Sequence, residues 1–86
     1  MNGYELTLRK EVLLEKAAGI LGDLFRYEQE NHIEDDTHPV SIMFSLVWNV
    51  KEDIVSTASN AELDRIDGKL DMASSFASDL AVRKAS

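Results

Sequence analysis

Along the first third of the chain, apolar residues recur at alternating four- and three-residue steps. Leu6, Leu13, Ala17, Ile20, Leu24 and Tyr27 share one helical face, with Lys10 standing where another apolar side chain would complete the series. Leu14, Ala18, Leu21 and Phe25 lie beside them and widen the stripe into a core-facing surface. The spacing predicts a helix over about residues 3–31, roughly 43 Å long. Asn2-Gly3-Tyr4-Glu5 has the spacing of a capping box for its start. Gly19 and Gly22 weaken that helix by about 1 kcal/mol each relative to alanine. They mark either a bend, a close helix contact, or simple tolerance.

The pattern breaks at His32-Ile33-Glu34-Asp35-Asp36-Thr37-His38-Pro39. Proline removes an amide and pushes the preceding residue out of helical geometry, so this stretch is a connecting loop. Asp36 and Thr37 are the caps expected for the element that follows.

That element, residues 40–58, carries two patterns at once. As a helix, Val40, Met43, Val47, Val50 and Ile54 form a stripe opposed by Ser41, Ser45, Asn49, Glu52 and Ser56. As a strand, Val40, Ile42, Phe44, Leu46, Trp48 and Val50 alternate over residues 40–50. The helix is preferred, because the apolar spacing runs on through Ile54 and a lone strand has no partner here. Eight of the eleven residues from Val40 to Val50 are apolar, more than one buried face accommodates.

Ser59-Asn60-Ala61-Glu62 is a second capping box. Behind it Leu63, Ile66, Leu70, Ala73, Ala77 and Leu80 form a narrow seam suited to close helix contact, and Asp79 and Arg83 form a favourable four-residue pair. The fold expected is an all-α, three-helix antiparallel bundle with helices at about 3–31, 39–58 and 60–84, occupying 1–86 as one domain and oligomeric. The alternative is an α+β fold with 40–50 as a strand.

Composition narrows the class of protein. Of 86 residues, 44% are apolar, enough for one small core and too many for a disordered tail. There is no cysteine, so neither disulfides nor thiol chemistry arise. No apolar run approaches the roughly 20 residues of a membrane helix, and the start of the chain does not read as a signal peptide. A cytoplasmic protein is expected. The net charge is −7, and residues 27–50 carry five acids with no lysine or arginine. Such a surface repels phosphate backbones, so direct nucleic-acid binding is not expected.

Three constellations are candidates for function. Ile42, Phe44, Leu46 and Trp48, with Val55, either fill the core or form an interface for a protein partner or a second copy. Asp64, Asp67 and Asp71 share one side of the third helix. They are either an ordinary solvated face or an acidic strip able to mimic phosphates. His32, Glu34, Asp36 and His38 are weak metal candidates whose spacing fits no known ligand loop; they read as solvated residues of an acidic linker. No phosphate loop or nucleophile signature is present, and neither an enzyme nor a cofactor is expected. The reading that follows is a small acidic interaction or regulatory protein working through the apolar helix 40–55. An acidic nucleic-acid-mimic inhibitor and a metal-binding module on the 32–38 loop are the alternatives. No motif ties the chain to a known family.

Overall fold

The computed structural model describes residues 3–85, with side chains as far as Val82. Three helices follow one another: α1 (Gly3–Glu30), α2 (Pro39–Ser56) and α3 (Asn60–Ala85), with no strand among the described residues. The contested segment is thus helical. Its buried residues are Val40, Val47, Val50 and Ile54, with Met43 half-buried among them, which is the helical stripe and not the alternating set. Asn2 of the first capping box and the side chain of Arg83, expected to pair with Asp79, lie outside the described residues.

Bonds between helices set the directions. Ser41 Oγ donates to Glu28 Oε1 at 3.1 Å and Lys10 Nζ donates to the Val55 carbonyl at 3.0 Å, so α1 and α2 are antiparallel. Arg9 reaches Asn60 Oδ1 at 3.1 Å while Lys16 reaches Asp67 at 2.9 Å, so α1 and α3 run parallel. α1 packs against both other helices; α2 and α3 touch each other least. The bundle measures 46 × 24 × 16 Å.

One apolar core joins Leu13, Ala17, Ile20 and Leu24 of α1 to the α2 stripe and to Leu63, Ile66, Leu70 and Ala73 of α3. No polar or charged side chain is buried among the described residues. Burying each large aliphatic side chain is worth about 1.5–3 kcal/mol, so this core carries most of the folding free energy.

The helix ends correct several expectations. α1 stops at Glu30 because His32 adopts a left-handed conformation, φ 53°, letting Ile33 N–H donate to Glu28 O at 2.9 Å. This is a Schellman-type closure made without glycine, with Ile33 packed against the core. α2 is capped by His38, whose Nδ1 accepts from Val40 N–H at 3.1 Å, and not by Asp36 or Thr37. Thr37 instead donates its N–H and hydroxyl to Asp35, at 2.9 and 2.8 Å, closing a turn one step earlier. α2 ends at Ser56 and not 58, since Thr57 turns extended and its N–H returns to Asp53 O. Half of the second capping box forms: Glu62 N–H donates to Ser59 Oγ at 3.3 Å, while Ser59 N–H goes to Thr57 Oγ1.

Gly19 and Gly22 mark no close contact. A Cβ built at either meets nothing within 4 Å, so they are tolerated and not required by packing within the chain. Gly19→Ala and Gly22→Ala are therefore expected to stabilise the fold by about 1 kcal/mol each, raising the midpoint by roughly 4–8 °C. Thermal unfolding followed by circular dichroism checks this; a lowered midpoint would show that something else needs the space.

Candidate protein-binding surface

A helix turns about 100° per residue, so residues two apart stand on nearly opposite sides. With its stripe of Val40, Met43, Val47, Val50 and Ile54 turned inward, α2 cannot gather Ile42, Phe44, Leu46 and Trp48 on one face. They divide between two flanks, separated by a polar ridge containing Ser45 and Asn49.

The first flank is aromatic. Phe44 and Trp48 stack with ring centroids 6.3 Å apart and planes 16° from parallel. Lys51 Nζ lies 4.2 Å from the Trp48 ring centroid, a cation–π contact that holds one side of the indole. Phe44 is half-buried against the core, but Trp48 is 46% exposed and Val55 62% exposed. A shallow concavity lies between Phe44, Trp48 and the ridge.

The second flank faces α3. Ile42 is 55% exposed and Leu46 42%, and with Met43 and Val50 they form one bank of an apolar groove of about 690 Å³. Met72 and Lys69 of α3 form the other bank, and Asp53 lies on the α2 side. The groove lies where α2 and α3, the two helices that touch each other least, leave their outer edges uncovered. The core-filling alternative for Ile42, Leu46 and Trp48 is overturned, since none of them is buried, and Val55 is exposed as well. Only Phe44 serves the core, and in part. Met72, 70% exposed, was not singled out from sequence because it falls outside the α3 seam; α1 adds an exposed row at four-residue steps, Tyr4, Leu8 and Val12.

The acidic strip is already occupied. Asp64 pairs with Arg9, and Lys16 bridges Asp67, at 2.9 Å, and Asp71. The spacing held the signal: bases seven residues apart on α1 meet acids three, four and seven apart on the parallel α3. The bonds from Asp71 and Asp67 hold the Lys16 amine above its usual value. What reads from α3 alone as a bare row of charge is a set of ion pairs.

The loop candidates serve the backbone. His32 closes α1, His38 caps α2, and Glu34 and Asp36 are exposed to solvent. Among the described residues, no group of three or more histidine, aspartate or glutamate side chains is arranged to hold a metal ion. Asp35, bonded by the Thr37 N–H and hydroxyl, has its carboxyl held below the ordinary range. No helix among the described residues is long and apolar enough to cross a membrane.

An acidic helical bundle whose α3 aspartates are paired and which has spare apolar surface has the outline of a binding protein, and comparison with known families decides which kind. A family model described as bacterial epsilon antitoxin matches residues 2–80. The chain belongs to this family. Membership brings a protein-binding, regulatory role as an antitoxin, whose counterpart is a toxin. Neither the curated proteins nor the solved structures give a match.

Two expectations follow for this epsilon antitoxin family member. Trp48→Ala should cost only about 1 kcal/mol, because the ring is half in solvent and loses mainly its stack on Phe44. Ile54→Ala, fully buried, should cost about 2–5 kcal/mol. Denaturant titrations compare them, and a water-like Trp48 emission quenched by acrylamide would agree. A Trp48→Ala loss as large as that of Ile54→Ala would contradict the exposed placement.

Lys16→Gln should destabilise by about 0.5–1 kcal/mol at low salt and by much less near about 1 M salt, where exposed pairs are screened. Because the amine is raised above 10.5, its contribution is fully present at neutral pH and is lost only as pH climbs through the raised value. Unfolding at two salt concentrations and across alkaline pH tests this; a salt-independent difference would locate the effect in packing.

Proposed function

We propose that this chain is the antitoxin partner of a protein toxin, a cytoplasmic protein that acts by binding and performs no chemistry itself. We place the toxin contact on the aromatic flank of α2. The single observation carrying the placement is the stacked Phe44–Trp48 pair, whose Trp48 ring is open to solvent on a helix whose core face is already full. Aromatic anchors of low side-chain entropy dominate protein interfaces, and a ring pre-positioned by a neighbour and a lysine gives up little freedom on docking. Val55 extends the same flank toward the end of α2.

This reading is favoured over phosphate mimicry, since Asp64, Asp67 and Asp71 are paired with Arg9 and Lys16 within the molecule. It is favoured over metal binding because, among the described residues, no three histidine, aspartate or glutamate side chains converge on one point and His38 Nδ1 already caps α2.

Co-expression with the toxin tests the proposal. The chain should relieve toxin-induced growth arrest, and Phe44→Ala combined with Trp48→Ala should abolish relief while the purified variant keeps its helical spectrum. Loss of two anchors is expected to weaken the complex by 100-fold or more, about 3 kcal/mol. Full relief by the double variant would move the contact elsewhere; no relief by the unaltered chain would overturn the antitoxin assignment.

A further inference from the structure

The aromatic flank of α2 is interrupted by a charge. Phe44, Trp48, Lys51 and Val55 recur at four-, three- and four-residue steps, so all four stand on one side of the helix. Three are apolar and the third in line is a cation. The Lys51 ammonium lies over the Trp48 ring, 4.2 Å from its centroid.

That charge has no carboxylate of its own. Among the described residues, Arg9, Lys16, Arg26 and Arg65 each hold an acid, and Lys10 holds the Val55 carbonyl. Lys51 holds neither, in a chain with 16 acids to 9 bases. Glu52 and Asp53 follow it in sequence but are turned about 100° and 200° away around the helix.

Ring and ammonium cannot be covered separately. A partner that closes over Trp48, 46% exposed, also removes water from the cation resting on that ring. An ammonium buried without a counter-charge is strongly unfavourable, and one aromatic face compensates only a small part of the lost hydration. A molecule docking on this row therefore has to bring negative charge to Lys51.

We propose that the toxin meets this flank with an apolar pocket for Trp48 rimmed by an aspartate or glutamate, which pairs with Lys51. The proposal rests on the placement of the toxin contact on the aromatic flank and adds the chemistry of the opposing surface. The two rings supply contact area to any apolar pocket; Lys51 supplies the discrimination, because a neutral or basic rim leaves the ammonium buried and unpaired. At net −7 the chain as a whole favours basic partners at long range, so an acid at this one point is a requirement of the local geometry and not of bulk charge.

Carbodiimide coupling of the intact chain to its purified toxin tests the pairing directly, since it joins an amine to a carboxylate in contact with it. Mass spectrometry of the digested complex should find Lys51 Nζ in an amide with an aspartate or glutamate of the toxin. Calorimetric titration measures the consequence, with circular dichroism confirming that each variant stays helical. Lys51→Arg should bind within about threefold of the unaltered chain, Lys51→Gln at least about tenfold more weakly and Lys51→Glu at least about thirtyfold more weakly. Exchanging the coupled acid of the toxin for lysine should restore binding to Lys51→Glu. Unchanged binding by Lys51→Glu overturns the proposal, and so does tighter binding by Lys51→Gln, which would make the ammonium only a desolvation cost. A Lys51 amide to another copy of this chain overturns it as well, by giving the row a different occupant. Phe44→Ala combined with Trp48→Ala separates the two readings. Binding lost there but kept in every Lys51 variant leaves the flank in place and removes the carboxylate. Binding kept in all variants, or absent from the unaltered chain, removes both.

Discussion

Each helix of a three-helix bundle turns about one face inward, and α2 has apolar side chains on more than one. Val40, Val47, Val50 and Ile54 consume the inward face completely. Ile42, Leu46, Trp48 and Val55 then have no interior left to enter, whatever rotamers they adopt. Burial of the same residues would require a fourth helix or another molecule. This mismatch between apolar residues supplied and interior available is what gives the protein its binding surfaces. The rest of the bundle, through its shared core with α1 and α3, supports the display of them.

The ion pairs complement this arrangement. Apolar burial alone fixes poorly which neighbour α3 lies beside, since hydrophobic contact is non-directional. Arg9 and Lys16 reach across to Asn60, Asp64, Asp67 and Asp71 and pin α3 alongside α1 in parallel register. Exposed pairs of this kind add little stability each. Their geometric consequence is the parallel register of α3 on α1; α2 and α3 touch each other least, and the apolar groove lies along that edge.

The three helices, their order and the central core were legible because each follows from spacing along a single element. The stripe through Leu13, Ala17, Ile20 and Leu24 needs no neighbour to be recognised, and the same is true of Leu63, Ile66, Leu70 and Ala73. Where the reading fell short, a relation between elements was at stake. The aspartates of α3 looked unpaired because their partners stand more than fifty residues earlier on α1. Met72 carried no signal until α2 was placed beside it. His32 drew notice as a ligand type, whereas its role is a left-handed backbone that no composition rule foretells for a residue other than glycine. Grouping Ile42 with Phe44, and Leu46 with Trp48, was a remnant of strand alternation: once the segment is a helix, two-residue steps separate side chains by about 200°.

That separation bears on how one short helix can serve two interactions. With Ser45 and Asn49 between them, the aromatic flank and the aliphatic groove are far enough around α2 for both to be engaged at once. Their chemistries differ accordingly. The groove is bordered by Asp53 and Lys69; the stacked rings, flanked by Lys51, offer an aromatic anchor. The polar ridge of Ser45 and Asn49 therefore keeps the two apolar surfaces from merging into one, and it does so without adding anything to the stability of the core.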